Sequence, residues 1–416
     1  MKKIDQTTID KAAAQAEQAM QQFALAYAPV AEKNFAKVLD AMRAAKISEN
    51  HLQGSTGYGY GDVGRDALEA VFAQVMGAEA CLLRQQIVSG THAITLALLG
   101  NLLPGDELLY VGRPYDTLCK VIGLQGETPG SLLESGVQYR EVDFDFAKPN
   151  PAQIVAALQP QTKILALQRS RGYAWRPALS LGLLAEIIKA VHQARPEIIV
   201  FVDNCYGEFV CEQEPTELGA DLIAGSLIKN PGGGIAPGGG YVAGRVDLVE
   251  RAAARLTAPG IGAEVGSSLL GQRVFYQGLF MAPLVVQEAL CGAVFTAAMF
   301  EALGFAASPS STETRSDIVE AICLEKPELL LAFCQGIQKY SPVDSYVRPE
   351  PWDMPGYTDQ VVMASGAFVS GSSIELSADA PMRPPYIAYF QGGLNRWHAK
   401  LAVCRTLQEC WQAGLI

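Results

Sequence analysis

Between residues 80 and 255, short apolar runs alternate with stretches of helical period, and this rhythm leaves few architectures open. Ala80-Cys81-Leu82-Leu83 precedes a helical pattern from Thr91 to Leu103, and Glu107-Leu108-Leu109-Tyr110 precedes one from Tyr115 to Leu124. Lys163-Ile164-Leu165-Ala166-Leu167 precedes another from Leu181 to Ala194; strands at 198–202 and 239–243 and a helix at 246–255 follow. Repeated β-α units of this length predict an α/β fold with a mostly parallel sheet covered by helices on both faces. Ligands of such sheets gather at the carboxyl ends of the strands.

A chain of 416 residues exceeds one ordinary core, and its 49% apolar content is ample for two. The expected division is an N-terminal helical arm over 1–55, a large domain over 56–290 and a smaller C-terminal α+β domain over 291–416. Two helical patterns between 7 and 46 break at Tyr27-Ala28-Pro29-Val30. A long helical stretch at 263–303 bridges into the last domain, whose clearest strand reads as Gly371 to Leu376, and an amphipathic helix from Trp397 to Leu415 ends the chain. The net charge of −11, without a dense basic cluster, argues against nucleic acid and anionic membranes as partners. Asp5, Asp10, Lys11 and Glu17 interrupt any apolar stretch of a secretory signal, and the apolar region 278–307 is broken by Gln287, Glu288 and Glu301, so it reads as a buried helix. Nine cysteines without a Cys-x-x-Cys pattern fit reduced thiols in the cytoplasm and no structural zinc.

The chemistry centres on Lys229, in the glycine-rich run Gly225 to Gly234. It follows by 26 residues the acid that closes the strand Ile198-Ile199-Val200-Phe201-Val202-Asp203. A lysine amine can form an imine with pyridoxal 5'-phosphate, and a strand-end carboxylate can keep the pyridine nitrogen protonated. Alone, Asp203 could equally cap the next turn; the lysine tips the reading. Tyr206 stands three residues on, within reach of the cofactor's phenolic oxygen. Ser89-Gly90-Thr91 leads into an apolar helix, and free N–H groups with two hydroxyls there form a phosphate cradle, although an ordinary N-cap would choose the same residues. Ser226 adds a further phosphate donor. Tyr115, at the end of the next strand, is placed to lay its ring over a pyridine and to protonate a leaving group. His51, His192 and His398 read as structural, His92 stands beside the cradle, and Cys205 reads as a packing residue.

Ser89-Gly90-Thr91, Tyr115, Asp203-x-x-Tyr206 and Ser226-x-x-Lys229 occur in the order of fold-type I pyridoxal-phosphate enzymes, and the chain resembles their cysteine/methionine-metabolism branch. The blocks Thr56-Gly57-Tyr58-Gly59-Tyr60-Gly61-Asp62, Gln168-Arg169-Ser170-Arg171-Gly172-Tyr173 and Gln391-Gly392-Gly393-Leu394 make it most similar to the aluminium-resistance or methionine gamma-lyase-like proteins. The resemblance implies a large domain with a sheet of the seven-stranded type and a smaller C-terminal domain. It makes Lys229 the Schiff-base lysine and proton shuttle, Asp203 the pyridinium partner and Tyr115 the stacking ring. Ser89, Gly90, Thr91 and Ser226 become phosphate ligands. It also implies a homodimer or homotetramer with shared sites, in which Tyr58 or Tyr60 and Arg65 complete a neighbour's phosphate site. Arg383 falls to the substrate carboxylate, with Arg171 and Arg176 as rivals.

The implied activity is carbon–sulfur bond cleavage in a sulfur-containing amino acid, as in cystathionine beta-lyase or methionine gamma-lyase, releasing thiol, keto acid and ammonia. Ile228 and Asn230 depart from the Ser/Thr and Tyr that usually flank the lysine in that branch. An aminotransferase, aldolase or decarboxylase, or a low-activity protein with a metal-tolerance role, therefore stays open. No metal ligands are expected.

Overall fold

A computed structural model describes residues 4–126, 128–354 and 357–416. The chain opens with one helix, α1 (Gln6–Ala44), followed by α2 (Val63–Met76). The first sheet then takes its strands from β1 (Ala80–Arg84), β2 (Glu107–Val111), β3 (Gln138–Val142), β4 (Thr162–Gln168), β5 (Ile199–Asp203), β6 (Leu222–Ser226) and β7 (Gly240–Gly244). Helices α3 (Gly90–Asn101), α4 (Asp116–Ile122), α5 (Pro151–Ala157), α6 (Leu181–Ala194) and α7 (Val246–Leu256) separate or follow them.

The seven strands lie in the order β1-β7-β6-β5-β4-β2-β3. All pairs from β6 to β3 are parallel, whereas β7 runs against both its neighbours. The reason is local: no crossover helix separates β6 from β7, only the lysine-bearing loop, so the chain returns in the opposite direction. The α/β class and the mostly parallel sheet are as expected from the β-α rhythm. Edge strand β3 was not legible, because in Gln138-Tyr139-Arg140-Glu141-Val142 only Val142 is buried and there is no apolar run.

Helix α8 (Arg273–Ala302) joins the two halves. Up to Leu290 its buried residues belong to the core beneath the first sheet, and from Cys291 onward to a second core. It is long and apolar enough to cross a membrane by length and composition, yet 72% of that stretch is buried inside the protein, as a core helix requires. The second core lies under an antiparallel sheet of order β10-β11-β12-β9-β8, made of β8 (Ala306–Ser308), β9 (Val319–Cys323), β10 (Val361–Ser365), β11 (Ser377–Pro381) and β12 (Ile387–Gln391). Helices α9 (Pro327–Lys339) and α10 (Arg396–Gln412) pack against it and each other.

Three expectations are corrected. The helix expected from about 263 begins only at Arg273, and residues 265–272 before it are irregular. Pro29 does not split α1: it sits exposed within a continuous helix whose first half buries Ile9, Ala12, Ala16 and Met20 in the second core. Packing along α8 overrides the lost hydrogen bond. The expected strand at 371–376 is a bend, and the strand begins at Ser377. Ile374 and Leu376 are buried, but Glu375 turns back to accept the N–H groups of Phe368 and Val369 at 2.8 and 2.9 Å.

Candidate active site

Strands β4, β5 and β6 end side by side, with Gln168 opposite Asp203 and Asp203 opposite Ala224. Their carboxyl ends open onto a cavity of about 630 Å³, whose wall includes Asp203, Ser226 and Lys229. Asp203 is 3% exposed, and its Oδ1 accepts the N–H of Cys205 at 3.1 Å. Burial raises its pKa, and the charge of Lys229 partly offsets that rise.

Lys229 leaves β6 on a tight loop and returns its amine to within 3.9 Å of the Tyr206 ring centroid. Burial alone would lower the amine's pKa; Cys205, Tyr206, Asp203 and Tyr115 around it raise it, and the net direction is upward. The loop can be this tight because of its glycines. A Cβ at Gly232 would overlap the Leu227 carbonyl, and one at Gly278, on α8, would overlap the carbonyl of Gly232.

Tyr206 reaches the lysine from a left-handed backbone conformation, φ 71°, and Phe209 has φ 62°. Such positions are held by their surroundings. The Tyr27 hydroxyl and the Asn34 amide, both on α1, donate to the Phe209 carbonyl at 2.8 and 2.9 Å. Behind Asp203, the fully buried Arg169 donates to Asn204 Oδ1 at 2.8 Å, and Asn204 donates to Glu214 at 3.0 Å.

The predicted cradle also lines the cavity, beside Cys205 and Ser226. Ser89 caps α3 by accepting the His92 N–H at 3.1 Å, and a Cβ at Gly90 would stand 3.3 Å from both Cys205 Sγ and Ser226 Cβ. Thr91 Oγ1 and the Tyr115 hydroxyl are 3.1 Å apart, and both line the cavity. Burial, followed by the nearby Asp203 charge, pushes the Tyr115 phenol well above its ordinary pKa, so it is a proton donor at neutral pH. His92 lies outside the cavity wall; its Nδ1 accepts the Val88 N–H at 3.2 Å.

Other expected residues are not brought to this cavity within one chain. Tyr58 and Tyr60 are 74% and 68% exposed, with ring centroids 5.7 Å apart, and neither lines it. Arg65 is buried and spends its donors on its own surroundings: Nη1 on the carbonyls of Gly59 and Gly266 at 2.9 and 3.0 Å, Nε on Asp66 at 2.9 Å. It braces the glycine-rich loop. Arg383 does reach the cavity wall, but it is exposed, pairs with Asp359 at 2.8 Å and donates to the Tyr173 carbonyl at 3.1 Å.

Several lining residues carried no assigned role. Tyr173 lies in the Gln168–Tyr173 block, and its ring stands 5.1 Å from Tyr389 and 5.6 Å from Tyr357. Met354 and Tyr357 come from the C-terminal half, in a stretch without periodicity. Glu208 was also missed. It is fully buried beside Gly225, takes a hydrogen bond from the Tyr241 hydroxyl at 2.7 Å, and its pKa is pushed up to about 8 by burial. The only sequence signal was an acid set among apolar neighbours in Gly207-Glu208-Phe209-Val210.

An amine, a buried acid, a helix N-terminus and a phenol arranged around one space suit a phosphorylated pyridine aldehyde: Lys229 would meet its aldehyde, Asp203 its ring nitrogen, and Ser89, Gly90 and Thr91 its phosphate. Fold and site together are those of a fold-type I pyridoxal-phosphate enzyme. The chain belongs to the methionine gamma-lyase family, whose model matches residues 9–411, and membership implies dependence on pyridoxal 5'-phosphate.

Its similarity to several individual proteins runs over most of the chain. The Bacillus subtilis (strain 168) protein YnbB is 50% identical over 390 residues, 93% of each chain. The crystal structure of a carbon-sulfur lyase involved in aluminum resistance from Clostridium novyi NT superimposes with a TM-score of 0.92 at 48% identity, covering 96% of this chain and 95% of that one. A Bacillus cereus protein structure gives 0.91 at 49% identity, covering 94% and 97%.

Proposed function

We propose that this protein is a pyridoxal-phosphate-dependent carbon–sulfur lyase acting on a sulfur-containing amino acid of the cystathionine or methionine type, releasing thiol, keto acid and ammonia. The observation that carries the reading is the convergence of Lys229, Asp203 and Tyr115 on one cavity at the strand ends. When bound, the cofactor supplies an electron sink for the charge left on Cα.

The chain's own residues supply the rest. Asp203, buried at the end of β5, would face the ring nitrogen and keep it protonated. Lys229 would take the proton from Cα, and its loop against α8 fixes where that amine stands. Tyr115 would cover the ring and, as a protonated phenol, could deliver a proton to the departing sulfur. Ser89, Gly90, Thr91 and Ser226 would orient the phosphate, and Tyr206, against the lysine amine, would address the phenolic oxygen. Met354, Tyr357 and Tyr173 add apolar and aromatic surface to the wall, suited to a thioether.

The same reading places the enzyme in the cytoplasm as a homodimer or homotetramer. Tyr58 and Tyr60, exposed and unused by their own chain's cavity, are the residues offered to a neighbour's phosphate site. The functional division falls near residue 290, between a large cofactor-binding part and a smaller C-terminal part.

Incubation of the pyridoxal-phosphate-loaded protein with L-cystathionine, L-cysteine or L-methionine tests the reaction. Keto acid and ammonia should appear without an amino acceptor. Turnover that requires a keto-acid acceptor, or a carbon dioxide product, would replace elimination by transamination or decarboxylation.

A further inference from the structure

Four guanidinium groups line the cavity, those of Arg113, Arg171, Arg176 and Arg383, and they differ in what already occupies them. Arg113 is exposed at the rim. Arg383 is exposed and its charge is answered by Asp359 at 2.8 Å. Arg176 donates one terminal nitrogen to the Pro177 carbonyl at 2.9 Å and the other to the Ser170 carbonyl at 2.7 Å, and lies 4.1 Å over the Phe146 ring.

Arg171 is different. It is 2% exposed, and among the described residues no carboxylate stands within ion-pair distance of its guanidinium. Nη1 donates to the neutral Ser308 hydroxyl at 3.0 Å, and Nε has no hydrogen-bond partner. Neither nearby acid pairs with the head group. Asp317 accepts the backbone N–H groups of Arg171 and Val319 at 3.3 and 3.1 Å, and Glu320 is paired with Arg315 at 2.7 Å. A buried cation left without a counter-charge is costly, and an anion brought by a ligand removes that cost.

We propose that Arg171 binds the α-carboxylate of the amino-acid substrate, and that Arg383 does not. The inference rests on the amino-acid reading above and deepens it. Arg171 is fixed before substrate arrives: its backbone is tied to Asp317, the following Gly172 takes φ 58°, and Ser308 of β8 holds the head group. The carboxylate therefore meets a preorganised charge, whereas Arg383 would first have to give up Asp359.

Calorimetric titration of the pyridoxal-phosphate-loaded enzyme with L-alanine and with L-alaninamide, which lacks the carboxylate, tests this. The wild type prefers alanine. Arg171→Gln should weaken alanine on the order of 100-fold while leaving alaninamide unchanged, the scale of a lost charge-assisted bond. Arg171→Lys should recover part of the loss, Ser308→Ala should weaken alanine alone, and Arg383→Gln should keep the preference. Loss of the preference in Arg383→Gln with its retention in Arg171→Gln or Arg171→Lys would overturn the proposal, as would an equal loss of both ligands in the Arg171 variants. Those outcomes leave the lyase reading standing; wild-type protein that takes up no pyridoxal phosphate and binds neither ligand overturns both.

Discussion

The amine of Lys229 lies over the face of Tyr206 at 3.9 Å from the ring centroid. The two residues come from the loops after neighbouring strands β6 and β5. A ring face stabilises the charged amine by about 0.5–2 kcal/mol, and the left-handed backbone of Tyr206 is what turns that face upward.

Removing the ring should therefore lower the amine's pKa. In cofactor-free protein, the rate of pyridoxal-phosphate attachment follows the neutral amine, so Tyr206→Leu should shift its pH profile down by about 0.4–1.5 units, with Tyr206→Phe close to wild type. A Tyr206→Leu profile that overlays the wild type would count against this role. Lys229→Ala should abolish both the visible absorbance of the loaded protein and turnover.

Glu208 links stability to pH. Its folded-state pKa of about 8 lies above the unfolded value of 4.5, because the carboxyl is buried with only the Tyr241 hydroxyl beside one oxygen. The folded state thus keeps a proton that the unfolded chain has released, and stability contributed by this group falls as pH rises from about 4.5 through about 8. The slope is at most about 1.4 kcal/mol per pH unit. Glu208→Gln mimics the protonated form, so its melting temperature relative to wild type should climb between pH 6 and pH 9; a constant difference would show that Glu208 does not titrate there.

Two glycine substitutions should act in opposite directions. Gly278→Ala drives a methyl into the Gly232 carbonyl and should cost more than about 2 kcal/mol while weakening cofactor binding, because it pushes α8 off the lysine loop. In α6, Gly182 has open space around a Cβ, so Gly182→Ala should stabilise by about 0.5–1 kcal/mol. Chemical denaturation measures both.

Pro29→Ala should also stabilise. The proline is exposed within α1, so alanine restores a helical hydrogen bond without touching the core, a gain of about 1–3 kcal/mol. Unchanged or reduced stability would mean that the helix depends on the proline's geometry at that point.

What the sequence determined by itself was whatever depends on neighbours along the chain. The apolar runs at β1, β2, β4 and β5 and the intervening helical periods specified an α/β sheet, because period and burial are local properties. The spacing of Asp203 and Lys229 was legible for the same reason: each sits at the end of a strand whose length the pattern sets. The sequence did not carry the outcome of competition between distant groups. Whether Pro29 breaks α1 was decided by packing on α8, and whether residues 371–376 pair as a strand was decided by Glu375 capturing two backbone N–H groups. Five arginines, Arg65, Arg113, Arg171, Arg176 and Arg383, look alike in sequence. Only the folded chain assigns Asp66 and two loop carbonyls to the first, solvent to the second, carbonyls to the fourth and Asp359 to the last, and leaves Arg171 buried with its charge unanswered. A side chain's free valence is set by what the fold has already bonded to it.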